Sequence, residues 1–434
     1  MPIFDQGYQH WQGELAGHGW RWLAITRHGV RIGLKNRFLQ LLLLAALGPA
    51  LMLAGGISIW GLVEQKTPWA MGFLGGIRSL RGLVADPTAY RVTAWTLFFH
   101  FFLMIQIWFI MILVLLVGPS LISKDLRFNA LPLYFSRPVR RIDYFVGKLG
   151  VIGFFLGMVT VVPAVLAWAL GLLFSLDFRA VIDTFRLLMG LVLFGVIVSV
   201  SAGLFILALS SMSRNSRYVA AFWGGMWLLT GLVSLILDEI NQESMRRQSY
   251  MVGFKAEEKT RQMLQLQQML QQFENLPPGN PKEFDGPDKL DMKKHREQPA
   301  PVDDPRNPEE KIKSRKQMEQ ELLRLIKERQ QLIEESKKNA EEMDEQRRED
   351  WRPVISYTAN LQRIGFALIG SQEAWEVVDQ LDPTRNPLNM NQPGWAAAMV
   401  PKYPWYWSAL VLLGVAALSL WILHRRVTSL DQLK

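Results

Sequence analysis

The chain has 434 residues, 50% hydrophobic and 20% charged, with a formal net charge of +9 and no cysteine. A mean hydropathy of +0.09 averages very apolar runs with one highly charged block, so it does not describe a soluble protein. The lack of cysteine excludes a disulfide framework, thiol chemistry and a Cys-based metal site, and no basic face interleaved with aromatics points to nucleic acid. A basic excess is instead what cytoplasmic loops held beside anionic membrane lipid require.

Residues 1–37 are too long and too charged for a cleaved signal peptide, so the first span is expected to act as the membrane signal. They gather Trp11, Trp20 and Trp22 with Arg21, Arg27, Arg31, Lys35 and Arg37, which suits a helix in the membrane interface or a basic flank that sets orientation. Six apolar runs follow: Phe38–Val63, Trp95–Leu121, Leu149–Leu176, Val181–Met212, Tyr218–Leu237 and Trp405–Leu423. Each is long enough to cross a hydrocarbon core of about 30 Å at about 1.5 Å per residue.

Gly48-Pro49 is expected to kink the first span. Residues 64–91 read as a short external connector whose Arg78, Arg81 and Arg91 blur the charge asymmetry. The second span holds His100 and Gln106, for which two roles stay open: hydrogen bonding between helices, or a transport path. His100 lies near the outer end, where an imidazole can reach the interface. The tight turn at Asp177–Arg179 forces spans three and four into an antiparallel hairpin. Gly195, Ser199 and Gly203, four residues apart, form a small-residue packing face.

The last span is framed by Tyr403, Trp405, Tyr406 and Trp407 at one end and His424-Arg425-Arg426 at the other. This pattern puts its arginine end in the cytoplasm. Six spans then leave both termini cytoplasmic and residues 238–402 outside.

Between spans two and three lies Leu121–Lys148, LISKDLRFNALPLYFSRPVRRIDYFVGK, where six Lys/Arg face two Asp. A short basic connector of this kind belongs on the cytoplasmic side. Leu131, Leu133 and Phe135 suggest an amphipathic piece that Pro138 ends. Asp125 just after a span, followed by Leu131–Leu133, Ser136-Arg137-Pro138 and Lys148, resembles the connector of ABC-2 type transporter permeases. Asn129-Ala130 stand where family members often carry Gly-Thr.

The resemblance covers the membrane portion and implies an all-α polytopic fold. That fold has an N-terminal elbow helix over residues 1–37, spans one to five over 38–237, and the last span with a cytoplasmic tail over 403–434. It also implies that this chain binds no cofactor and pairs with a second copy or a paralogue. ATP and Mg would sit on a separate cytoplasmic ATPase subunit that bears on the 121–148 connector. Asp125, Arg127, Leu131, Leu133, Arg137, Pro138, Arg140, Arg141 and Lys148 are the coupling residues so implied, with Arg137, Arg140 and Arg141 as the polar contact. The membrane expected is a bacterial plasma (inner) membrane, and the direction is export.

Residues 257–350 lie outside the resemblance. Met263, Leu266, Leu270 and Phe273 (segment 257–275) and Met318, Leu322, Leu325 and Leu332 (segment 310–350) follow coiled-coil spacing, with Arg329 and Ser336 interrupting the second seam. The segments would form an intrachain hairpin, an interchain coil, or simply long solvated helices, and could meet an extracytoplasmic partner. Residues 354–371 are apolar but broken by Asn360, Gln362 and Arg363, too interrupted to span, and resemble the short re-entrant helices of the same permeases. Residues 379–404 read as irregular, proline-rich loop.

No G-x-x-x-x-G-K-[ST], H-E-x-x-H or G-x-S-x-G occurs, and the six histidines lack ligand spacing. No catalytic residue and no metal site is therefore expected. The competing reading is a membrane-anchored scaffold whose external coiled coil recruits partners, although an anchor needs only one or two spans.

Overall fold

The computed structural model describes residues 20–77, 80–135, 140–175, 177–274, 308–381 and 400–428, and those residues contain helices and no strand. Six helical stretches are long and apolar enough to cross a membrane: Arg37–Glu64, Arg91–Arg127, Arg141–Ser175, Arg179–Met212, Ser216–Ile240 and Trp405–Arg426. The chain has the architecture of a multi-pass membrane protein. It divides into two compact units, one of residues 1–238, 349–382 and 399–434, the other of residues 239–348 and 383–398.

The first unit begins with α1 (Arg21–Gly33), then α2 (Arg37–Ala45) and α3 (Leu47–Glu64), which together make the first span. Asn36 caps α2 by accepting the Phe38 N–H at 3.0 Å. The expected kink falls at Ala46 rather than at Gly48-Pro49. Proline acts on the carbonyl four residues before it, and for Pro49 that is Ala45, the last residue of α2.

After α4 (Pro68–Gly75) come α5 (Arg91–Val117), α6 (Ser120–Arg127), α7 (Leu131–Phe135), α8 (Arg141–Ser175) and α9 (Arg179–Met212). Helices α8 and α9 form the antiparallel hairpin, and the small-residue stripe is its seam. A Cβ on Gly195 would lie 2.5 Å from Val161 Cγ2, and one on Gly153 3.9 Å from Ser199 Cβ. A Cβ on Gly203 would collide with Leu149 Cδ1. Without a hydrophobic force between helices in lipid, this close backbone approach is what holds them together. On its other faces α8 packs against α3 and α1.

The fifth span is the first part of α10 (Ser216–Glu274), and the last is α14 (Trp405–Thr428). Between them the first unit contains α12 (Tyr357–Ile369) and α13 (Ser371–Leu381). Ser356 caps α12 through the Ala359 N–H, and Gly370, at φ 70°, ends it in the left-handed conformation that glycine adopts freely. The Tyr357 hydroxyl lies 2.9 Å from Ser201 Oγ, and the Leu368 carbonyl lies against Gly190. Eleven residues separate the contact points on each helix, so α12 runs antiparallel along α9 for about 16 Å. Asp379 lies in α13 and not in irregular loop; the helical run continues to Leu381 because Ala374, Trp375 and Val378 bury one face.

In the second unit, the remainder of α10 meets α11 (Pro308–Arg348). Lys259 Nζ lies 2.8 Å from Glu328 Oε2, and Leu266 and Leu325 are buried. Met263, Leu270, Met318, Leu322 and Leu332 are partly buried, while the side chains of Phe273 and Ser336 lie outside the described residues. Arg329 is partly buried, with its Nε enclosed.

Candidate functional site

The connector between α5 and α8 is fastened on two sides. Gly118 follows α5 where any Cβ would strike Ile206 of α9. Helix α6 then starts at Pro119 with no side-chain cap of its own. Ser210 of α9 supplies one. Its hydroxyl accepts the Ile122 N–H at 3.1 Å and the Ser123 N–H at 2.9 Å, and donates to the Pro119 carbonyl at 2.9 Å. Ser123 Oγ in turn donates to the Ser210 carbonyl at 3.0 Å. The first free amides of a helix need acceptors, and here another span provides them.

The second fastening is to α8. Lys148 Nζ lies 2.7 Å from Asp125 Oδ2 and donates to the Leu121 carbonyl at 2.7 Å. The Tyr144 hydroxyl donates to the same Asp125 oxygen at 2.7 Å. Tyr144 and Tyr134 meet edge to face at 5.4 Å, and the ammonium lies 5.3 and 5.9 Å from their ring centres. Lys148 and Tyr144 are buried. A buried ammonium is tolerable because a carboxylate, a carbonyl and two aromatic faces surround it. Burial, reinforced by the Asp125 charge, pushes the Tyr134 hydroxyl above its ordinary pKa.

Asn129 explains how the chain turns between α6 and α7. It has φ 50°, the Ala130 N–H bonds the Asp125 carbonyl at 2.9 Å, and the Asn129 N–H bonds the Leu126 carbonyl at 3.4 Å. This is a Schellman closure with asparagine in the left-handed position, where glycine is the usual choice. Asn129 therefore closes the turn that leads from α6 into α7. At the far end, Asp143 Oδ2 accepts the Arg140 N–H at 3.0 Å and opens α8.

The sequence-derived coupling residues thus have different places. Asp125 and Lys148 are joined, Leu131 is buried, Arg127 and Arg140 are exposed, and Arg141 is half-buried. Arg127 lies 5.8 Å from the Phe128 ring centre. Arg137, Pro138 and the Leu133 side chain fall outside the described residues. Helix α1 reaches the same corner, since Thr26 Oγ1 donates to the Gly147 carbonyl at 2.9 Å. A Cβ on Gly147 would lie 2.8 Å from Ile25 Cβ. Sequence reading missed Tyr134, Tyr144 and Ser210. Ser210 had no distinguishing signal, as one of four serines, with Ser199, Ser201 and Ser211, in an otherwise apolar run.

At the opposite end of the bundle stands a second charged cluster. Arg91 grips Glu64 through Nε–Oε1 at 2.8 Å and a second bond from its terminal nitrogen to Oε2 at 3.0 Å. It also reaches Asp177 at 3.1 Å and Asp183 at 3.6 Å. One arginine thereby ties the ends of α3 and α5 to the α8–α9 turn. The Arg179 N–H, together with Arg91, holds Asp177 below the usual carboxylate range. Arg91 is thus neutralised locally.

His100 and Gln106 are both fully buried. His100 does not reach the interface. Its ring stacks 4.1 Å from Phe366 of α12 and its Nδ1 lies 3.2 Å from Ser371 Oγ, because α12 and α13 cover this face of α5. Gln106 Nε2 donates to the Val159 carbonyl at 2.8 Å, and no described partner meets Gln106 Oε1 or His100 Nε2. The two side chains are not brought together.

Among the described residues no group of His, Asp and Glu could hold a metal ion. No protein-family model, no curated protein and no solved structure matches this chain.

Proposed function

We propose that the chain is the membrane subunit of an ATP-binding-cassette exporter of the ABC-2 type. In this reading both termini and the α6–α7 connector are cytoplasmic, residues 238–402 are extracytoplasmic, and α12 is the re-entrant element. A separate ATPase subunit docks on the connector, and two permease chains complete the transporter. The observation that supports it best is the double fastening of α6, to α8 through Asp125–Lys148–Tyr144 and to α9 through Ser210. A plain loop has no need of buried anchors. A connector that transmits force to two spans requires them, with cationic groups such as Lys124, Arg127 and Arg140 left exposed for a partner.

The test is Arg140→Glu together with Arg141→Glu, in membranes containing the ATPase that co-purifies with the chain. Stimulated ATP hydrolysis should disappear while insertion and span stability stay intact. Unchanged stimulation would remove the connector from the mechanism. Failure to recover any ATPase, even after crosslinking, would favour the scaffold reading.

A further inference from the structure

Arg363 is a buried charge that neither polar cluster uses. It lies on α12 and is 5% exposed. Its Nε donates to the Tyr403 carbonyl at 2.7 Å and its guanidinium stands 5.7 Å from the Tyr403 ring centre. The contrast with the other two buried cations is sharp: Arg91 meets three carboxylates and Lys148 meets one. Among the described residues no carboxylate pairs with Arg363.

A guanidinium offers five N–H donors in a planar fork, and the Tyr403 carbonyl takes only the Nε one. The terminal nitrogens are not among the sealed, partnerless atoms of the bundle, so they keep contact with the surface. An arginine held by Nε and ring, with its fork left over, has the geometry for binding two oxygens of one anion. A buried charge without a counter-charge is costly, and an incoming anion would relieve that cost. Beside Tyr403, Trp405, Tyr406 and Leu410 of α14 are exposed apolar surface. Such surface gives cover to a hydrocarbon tail.

We propose that Arg363 binds an oxyanion, a phosphate or a carboxylate, carried by an amphiphile that enters between α12 and α14. As a binding site this stands on the geometry alone; as the substrate class of an exporter it rests on the function proposed above.

The probe is dodecyl phosphate, added at low mole fraction to the full chain purified in dodecyl maltoside, with inorganic phosphate in a parallel arm at matched ionic strength. Dodecyl phosphate should raise the melting temperature of the wild type by several degrees, and Arg363→Gln should lose that rise. Arg363→Lys, which keeps the charge but not the fork, should bind at least tenfold more weakly, and it carries the test if Arg363→Gln does not fold. A rise with dodecyl phosphate alone identifies an amphiphile headgroup, whereas an equal rise with inorganic phosphate identifies the oxyanion without its tail and overturns the amphiphile. No rise in the wild type, or the same rise in the Arg363 variants, overturns the site. The readout needs no ATPase, so its failure and the failure of the exporter reading remain separate.

Discussion

Lys148→Met would remove the ammonium from the connector corner and leave the Asp125 carboxylate with the Tyr144 hydroxyl. The Asp125 side chain is 15% exposed and that of Lys148 11%, so water compensates little for the lost partner. Removing one member of a buried pair costs about 3–5 kcal/mol. The Leu121 carbonyl and the two tyrosine faces also lose their cation, which is included in that figure. Asp125→Leu should cost a similar amount, because it strands the ammonium. The double variant removes both charges together and should be much less destabilised than the sum, with a coupling of about 2–3 kcal/mol. The assay is equilibrium unfolding in mixed micelles followed by tryptophan fluorescence, with 16 tryptophans as reporters. Additive effects of the two substitutions would refute the claim that this pair fastens the connector to α8.

Two further predictions concern the rest of the bundle. Arg91→Met strands Glu64, whose side chain is 3% exposed, and should cost about 3–5 kcal/mol, whereas Asp183→Asn removes a 3.6 Å contact at a half-exposed carboxylate and should cost less than about 1 kcal/mol. Equal losses in the same unfolding assay would mean that Arg91 does not tie the span ends through Glu64. Gly195→Ala should destabilise the α8–α9 seam by about 1–3 kcal/mol through overpacking against Val161, while Gly225→Ala, with open space around its Cβ, should be neutral or slightly stabilising. Equal melting temperatures for the two variants would separate the stripe from helix packing.

Much of the bundle was legible because lipid imposes simple rules. Twenty apolar residues make a span, and residues four apart share a helical face. That is enough to locate six long helices and to pick Gly195, Ser199 and Gly203 as one surface. Periodicity says which face a residue occupies but not what stands opposite. It could not show that Ser210 caps a helix beginning about ninety residues earlier, or that Arg91 finds its counter-charges at Glu64 and Asp177. The interface assigned to His100 failed for the same reason: α12 and α13, far away in sequence, cover it. Asn129 shows the opposite case. Its role is local to its own stretch of chain: a positive φ closes the turn after α6, and asparagine is one of the few residues that adopts it readily.

The placement of these hidden partners bears on how the proposed exporter would work. A helix tied to a single span could swing about that tie and dissipate a push from outside. Helix α6 has one tie to α8, at Lys148, and one to α9, at Ser210, while α8 and α9 are themselves locked by backbone approach at Gly195 and Gly203. A displacement of α6 toward the bundle must therefore carry the hairpin as one body or break a buried ion pair. Breaking that pair costs about 3–5 kcal/mol, several times thermal energy, so concerted motion is the cheaper path. At the other end of the same hairpin, Arg91 is the element that resists it, through Asp177 and Asp183. Those contacts to Asp177 and Asp183 are single, partly exposed and weaker than the ties at Lys148 and Ser210. In the exporter proposed above, the hairpin would therefore be stiff at the connector end, where an ATPase would push, and more compliant at the Arg91 end.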